Sequence, residues 1–253
     1  MIAISLQSGS NGNCIYVESC GMRLLFDAGI SGVEAERRLA AHGREIRDVD
    51  AVIISHDHSD HAKFAGVYSR KYGMPLCTTE RTIDAADRRC GLGPLRNLKF
   101  FKAGETVSFG PVSVRTIATP HDGKDGVIFI VESGEKRLGI MTDLGHVFDR
   151  LAGEVASLDA VFMESNYDPG MLAAGPYPAF LKRRIEGPGG HISNIESAEL
   201  LNCGKRLRWA CLSHLSEQNN NPAVALRTHQ GVLGGRLKLY AASRYCATGL
   251  FHL

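Results

Sequence analysis

The hydrophobic pattern is one of short apolar runs separated by polar punctuation. Segments 1–6, 14–18, 22–26, 51–54, 75–78, 112–119, 127–132, 137–142, 159–163, 208–212 and 237–241 are apolar or β-branched and are bounded by Gly, Asp, Ser or Pro, as strands are. Between them, 33–42, 61–71, 79–89, 178–185, 195–203 and 221–229 have helical character. Gly43 suits the stop of the first helix. Consecutive strands followed by alternation of strand and helix occur in each half, which is compatible with two facing sheets with helices outside, although periodicity alone does not choose that layout over other α/β arrangements. Segment 164–192, with Pro169, Gly170, Pro176, Pro178 and Gly187 to Gly190, is the one long turn-rich stretch, and is expected to fold over a functional edge.

The residues that close these runs carry the chemistry. Ala51-Val52-Ile53-Ile54 leads into Ser55-His56-Asp57-His58-Ser59-Asp60-His61. Residues two apart in an extended turn project to one side, so His56 and His58 can converge on one metal while Asp60 and His61 turn toward a second. The same punctuation recurs where 112–120 leads to His121, 137–142 to Asp143, 208–213 to His214, and Met22-Arg23-Leu24-Leu25-Phe26 to Asp27. His42, His146, His229 and His252 have no such context.

Composition narrows the setting. A chain of 253 residues, 44% hydrophobic, can bury a full core, and one domain spanning 1–253 is expected. The formal charge of +2 is nearly neutral, so contact with a polyanion has to come from local patches. The seven cysteines form no C-x-x-C pair, no apolar run has transmembrane length, and Met1-Ile2-Ala3-Ile4-Ser5 does not read as a signal peptide. Free thiols in a reducing cytoplasm, with no membrane partner, are the expectation.

Asp27, the H-x-H-x-D-H run, His121, Asp143 and His214 resemble, in order, the five motifs of the metallo-β-lactamase-fold hydrolases. Ser8-Gly9-Ser10-Asn11-Gly12-Asn13-Cys14, Glu164-Ser165-Asn166-Tyr167-Asp168, Gly190-His191-Ile192-Ser193-Asn194, Leu212 to Ser216 and Asn219-Asn220-Asn221 are similar to the YycJ/WalJ group of bacterial enzymes. The resemblance implies an α/β fold of four layers, the αββα sandwich, with the active site along one edge. The span between Asp143 and His214 is too short for the extra domain of β-CASP nucleases, and no long arm like that of tRNA 3'-processing enzymes is evident.

Carried over by position, the resemblance implies two divalent metal ions, Zn²⁺ or Mn²⁺. His56, His58 and His121 would hold the first, Asp60, His61 and His214 the second, and Asp143 would bridge them. Two cations on a shared water lower its pKa from about 15.7 toward about 7, which supplies hydroxide at neutral pH. The oxygen-reducing di-iron relatives usually carry Glu where this chain has His58, which speaks against redox chemistry. Asp27 is expected to orient ligands from behind. His191 matches a Gly-His pair that resembles a proton donor to the leaving oxygen, and imidazole titrates near neutrality. His191 and Asp60 are therefore the candidate catalytic residues, Asp60 doubling as ligand. Ser193 and Asn194, at a helix start, and Ser10 and Asn13, in a Gly-rich loop, are candidate phosphate contacts.

The function implied is phosphodiester hydrolysis, in its sharper form DNA exonuclease action from 5' ends. Lys182-Arg183-Arg184, Lys205-Arg206 with Arg208, and Arg88-Arg89 are the basic clusters available to backbone phosphates. A small-molecule phosphodiesterase, acting on cyclic or nucleotide diesters, would use the same metals and the same His191. A non-catalytic scaffold would be marked by a lost ligand, and none of the expected ligands is missing.

Overall fold

The computed structural model describes residues 1–253. Its strands form two sheets of seven. The first contains β1 (Ile2–Gln7), β2 (Cys14–Ser19), β3 (Met22–Phe26), β4 (Ala51–Ile53), β5 (Leu76–Thr78) and β6 (Leu98–Phe100). The second contains β7 (Thr106–Phe109), β8 (Val112–Ala118), β9 (Val127–Ser133), β10 (Lys136–Met141), β11 (Ala160–Glu164), β12 (Trp209–Ser213) and β13 (Lys238–Ala241), and β14 (Phe251–His252) returns to flank β1. Each sheet begins as an antiparallel meander and continues in parallel, from β3 to β6 in the first and from β10 to β13 in the second.

Side-chain alternation divides the core into three layers of packing. Leu24 and Phe26 of β3, Ala51 and Ile53 of β4, and Val127, Phe129 and Val131 of β9 meet between the sheets. Leu25 and Val52 point outward against α1 (Gly32–Ala40), which precedes the four-residue α2 (Ser59–Ala62), and against α3 (Ala65–Tyr72) and α4 (Glu80–Cys90), which follow it. Ile128 and Ile130 point the other way, into the layer covered by α5 (Leu151–Ala156), α8 (Asn194–Cys203) and α9 (Pro222–Leu233). Helices α6 (Pro169–Ala174) and α7 (Ala179–Glu186) lie in the connection after β11. The layers are therefore α, β, β, α, and strands buried on both faces read as unbroken apolar runs.

Three departures from the expected elements have physical causes. The helix expected over 61–71 is broken at Phe64, whose amide hydrogen-bonds Ala28 O at 2.9 Å instead of continuing the helix. Pro169-Gly170, expected as a turn, opens α6: Asp168 caps it by accepting from the Met171 amide at 2.9 Å, and proline at the first helical position has no amide to waste. Strands β6 and β7 are edge strands with exposed polar positions, so they lack the apolar run that marks the others. No helix is long and apolar enough to cross a membrane.

The Phe26 and Phe129 rings meet across the two sheets with centroids 5.1 Å apart. Phe129→Ala is expected to lower the unfolding free energy by about 3–5 kcal/mol, read by denaturant titration. Val33→Ala, at a position 66% exposed, should change it by no more than about 0.5 kcal/mol.

Candidate metal centre

The carboxyl ends of β3, β4, β8, β10, β11 and β12 open onto one edge, and the residues that follow them converge there. His56, His58 and His121 bring three ring nitrogens together, Asp60, His61 and His214 form a second group, and Asp143 joins His56 and His61 in a third grouping. All seven residues expected as ligands thus fall in one cluster.

Backbone strain places several of them. Asp27, Asp143 and His214 have φ of 65°, 57° and 56°, the left-handed region that costs a non-glycine residue of order 1–3 kcal/mol. Each follows a strand, and the left-handed turn stops the ladder and swings the side chain back over the sheet edge. Neighbouring loops hold these turns. The Asn13 amide donates to Asp60 O at 2.7 Å, and the Ala28 amide to His61 O at 2.6 Å. Gly29 sits in this crossing, where a Cβ would lie 1.7 Å from Asp60 O.

Hydrogen bonds fix which nitrogen of each ring faces inward. His121 Nδ1 donates to Gly190 O at 2.8 Å, which leaves Nε2 as the acceptor, 3.2 Å from His58 Nδ1. His58 turns its other nitrogen to Asp122, 3.2 Å away. His56 Nδ1 lies 2.9 Å from Ser55 Oγ, whose hydroxyl donates to Asp27 Oδ2 at 3.0 Å. His61 Nδ1 donates to the same Asp27 oxygen at 2.7 Å, and the Ser55 amide donates to Asp27 Oδ1 at 2.8 Å. Asp27 therefore stands behind the cluster and ties two imidazoles, one directly and one through Ser55.

On the inner side, Asp143 Oδ2 is 3.1 Å from His61 Nε2, and Oδ1 is 3.5 Å from His214 Nε2 and 3.7 Å from His121 Nε2. One carboxylate thus reaches both groups of imidazoles. His214 Nε2 is also 3.3 Å from Asp60 Oδ2.

The donor set fits divalent cations. His56 Nε2 and Asp143 Oδ2 are buried without a hydrogen-bond partner, an arrangement that is costly unless something else binds them. Burial, reinforced by His61, holds His56 well below the ordinary imidazole range, and burial together with His121 pushes His58 down to about 4. Both are neutral at pH 7 with a lone pair to give. Burial alone would raise the Asp143 carboxyl, but His214 and His61 outweigh it and hold it ionised, well below the usual range. Neutral imidazoles and buried carboxylates are the donors that Zn²⁺ and similar cations take.

His191 lies at the mouth of this cluster, its ring 5.0 Å from that of His121 and 5.1 Å from that of His214. Its Nδ1 donates to Glu164 Oε1 at 2.6 Å. Glu164 is fully buried at the end of β11, and its other oxygen accepts from the amides of Leu144 at 2.9 Å and Ile192 at 3.4 Å. Gly190 lets the His191 loop close down, since a Cβ there would lie 2.1 Å from Ile185 O. The turn-rich segment after β11 thus reaches the functional edge, through this loop and through Arg184.

Of the four residues expected to contact phosphate, Ser10 alone lines the cleft, a polar depression of about 230 Å³ bounded also by His58, Asp60, Arg89, Arg184 and His191. Ser193 is occupied in a capping box with Glu196, and Asn194 is fully buried against Ser165 and Asn220. Asn13 braces its loop, accepting from the Gly9 amide at 2.9 Å and donating to Gly9 O at 3.1 Å, and its Nδ2 also lies 2.9 Å from His61 Nε2 and 3.3 Å from Asp60 Oδ2, within the cluster. Ser193 and Asn194 serve the scaffold, because small polar residues at turns and helix starts bond the groups nearest them.

Glu164 and Asp122 escaped the sequence reading as site residues. Glu164 carries the same signal as the ligands, an acidic residue closing an apolar run. Asp122 simply follows His121.

A four-layer αββα sandwich with imidazole and carboxylate donors gathered at the carboxyl ends of its strands has the form of a metal-dependent hydrolase. Comparison with known proteins agrees: the Metallo-beta-lactamase superfamily model matches residues 8–178, and the chain belongs to that superfamily. It is 36% identical to exodeoxyribonuclease WalJ of Streptococcus pneumoniae, with 97% of this chain and 95% of that protein covered. To exodeoxyribonuclease YycJ of Bacillus anthracis it is 34% identical, with 90% of this chain and 87% of that protein covered. The crystal structure of the metallo-beta-lactamase fold protein YhfI from Bacillus subtilis superposes with a TM-score of 0.73 at 15% identity, covering 98% of this chain and all of that one, which speaks for the fold. The enzyme is a metal-dependent hydrolase, and its fold implies divalent metal ions at this cluster.

Asp27→Ala should weaken metal binding by about 10–100-fold, the usual cost of removing a group that orients ligands. Competition with a chromogenic chelator measures this directly, and unchanged affinity would remove Asp27 from the role its bonds suggest.

Proposed function

We propose that this protein is an exodeoxyribonuclease that shortens DNA from 5' ends. Its first cation would be held by His56, His58 and His121, its second by Asp60, His61 and His214, and Asp143 would lie between them. The mixed nitrogen and oxygen donors suit Zn²⁺ or Mn²⁺. When bound, two such cations neutralise charge on the phosphoryl oxygens and lower the pKa of a water from about 15.7 toward about 7.

The observation that carries the reading is the His191–Glu164 pair beside the ligand cluster, with its 2.6 Å hydrogen bond. Breaking a phosphodiester releases a sugar alkoxide, which needs a proton. With Nδ1 anchored on Glu164, His191 has Nε2 left to deliver one, and the buried Glu164 fixes the orientation of the ring. Asp60 contributes to the second cation site and, through His214 at 3.3 Å, to the position of that ring. The names of the 36% and 34% identical relatives, both exodeoxyribonucleases, support DNA as the substrate.

A time course on duplex DNA labelled at the 5' or the 3' end, with Mn²⁺ or Zn²⁺ added, tests the reading. Labelled mononucleotide should appear first from the 5' label and be absent with Asp143→Ala. Intact polymer alongside hydrolysis of a cyclic nucleotide would instead make the enzyme a small-molecule phosphodiesterase.

His191→Ala should slow DNA cleavage by about 10²–10⁴-fold, and should slow bis(p-nitrophenyl) phosphate much less, since p-nitrophenolate leaves without a proton. Equal losses on the two substrates would count against His191 as proton donor.

A further inference from the structure

Three basic clusters stand out in the sequence, and the fold separates one of them from the other two. Arg206, of the cluster around 205–208, bonds Asp159 at 3.1 Å, and Asp159 immediately precedes β11. That is the amino end of the strand, away from the metal cluster. Arg89 of α4 and Arg184 of α7 instead both line the cleft that holds His58, Asp60, Asp143 and His191, whose lining has no apolar residue.

Each guanidinium is aimed by a carboxylate that belongs to a ligand loop. Arg89 Nη2 donates to Asp57 Oδ2 at 2.9 Å, and Asp57 lies between two of the expected ligands with its other oxygen fixed by the Lys124 amide at 2.6 Å. Arg184 grips Asp122 Oδ2 through Nε at 2.9 Å and Nη2 at 2.8 Å, and Asp122 Oδ1 faces His58 Nε2 at 3.2 Å. The Arg89 and Arg184 side chains remain 51% and 52% exposed. The Nη1 group of each has no protein partner among these contacts. A guanidinium held in place by one carboxylate and still carrying free donors is prepared for a second anion, and phosphate matches its fork.

We infer that Arg89 and Arg184 form a clamp for the phosphates flanking the scissile diester, so that the cleft selects a polynucleotide strand over an isolated diester. Cations held at the cluster would serve the scissile phosphate itself, and the two arginines would meet the neighbours that only a polymer has. This inference rests on the nuclease reading above and names how that site recognises its substrate.

The test compares Arg89→Gln, Arg184→Gln and the double variant with wild type on single-stranded DNA and on bis(p-nitrophenyl) phosphate, at several salt concentrations. Each phosphate contact contributes about 0.7 to the slope of log affinity against log salt on a single strand. Each single variant should therefore flatten the salt dependence of KM for DNA by about 0.7, and the double variant by about 1.4. The double variant should also lose about tenfold or more in kcat/KM on DNA relative to its loss on bis(p-nitrophenyl) phosphate. Arg206→Gln, on the far edge, should leave the salt slope unchanged. An unaltered slope in the double variant, or equal losses on both substrates, would overturn the clamp while leaving the nuclease assignment standing. A wild type that hydrolyses bis(p-nitrophenyl) phosphate and leaves DNA intact would overturn both.

Discussion

The cluster depends on a backbone constraint: a side chain must turn back over the end of a sheet at the place where its own strand stops. Asp27, Asp143 and His214 meet that constraint in the left-handed region, where most side chains are disfavoured. Their neighbours hold them there. The Asp27 amide donates to Ile53 O at 2.8 Å, the Asp143 carbonyl accepts from Thr119 Oγ1 at 2.9 Å, and the His214 amide donates to Ser8 Oγ at 2.8 Å. Each strained residue is thus held by an element distant in sequence, and the rigidity of the two sheets is what makes the strain affordable.

Electrostatics then sorts the donors. The carboxylates of Asp27, Asp60 and Asp143 surround His61 and push it well above the ordinary imidazole range, although burial acts the other way. His56 and His58 are pushed down, first by burial and then by the neighbouring imidazoles His61 and His121. The centre therefore has a nitrogen-rich side and an oxygen-rich side. A cation held at the second would compete with a proton on His61, which would link metal uptake to proton release there.

Much of this was legible in the sequence, for a specific reason. Strands such as 127–133 and 160–164 are buried on both faces, so they appear as continuous apolar runs, and the ligands stand out as polar residues that end such runs. Resemblance to a family then assigned those ligands to two groups. Legibility failed where structure does not depend on apolar content. Strands β6 and β7 at the sheet margins are half polar, α6 starts on the proline and glycine that usually mark turns, and the 61–71 helix is interrupted because Phe64 gives its amide to the ligand loop. The capping box of Ser193 and the buried contacts of Asn194 leave no mark in the sequence, because a small polar residue before a helix looks the same whether it holds a phosphate or its own helix end. Glu164 and Asp122 act through His191 and His58, and sequence spacing says nothing about such indirect partners.

The same alternation that builds two similar half-sheets also divides the donors between them. His56, His58, Asp60 and His61 come from loops of the first sheet, and His121, Asp143 and His214 from loops of the second. The cluster is thus assembled from both halves, and its last member follows β12, late in the chain. An ion held across it would stabilise only the assembled molecule, by mass action. The centre would in this sense be a latch across the two halves.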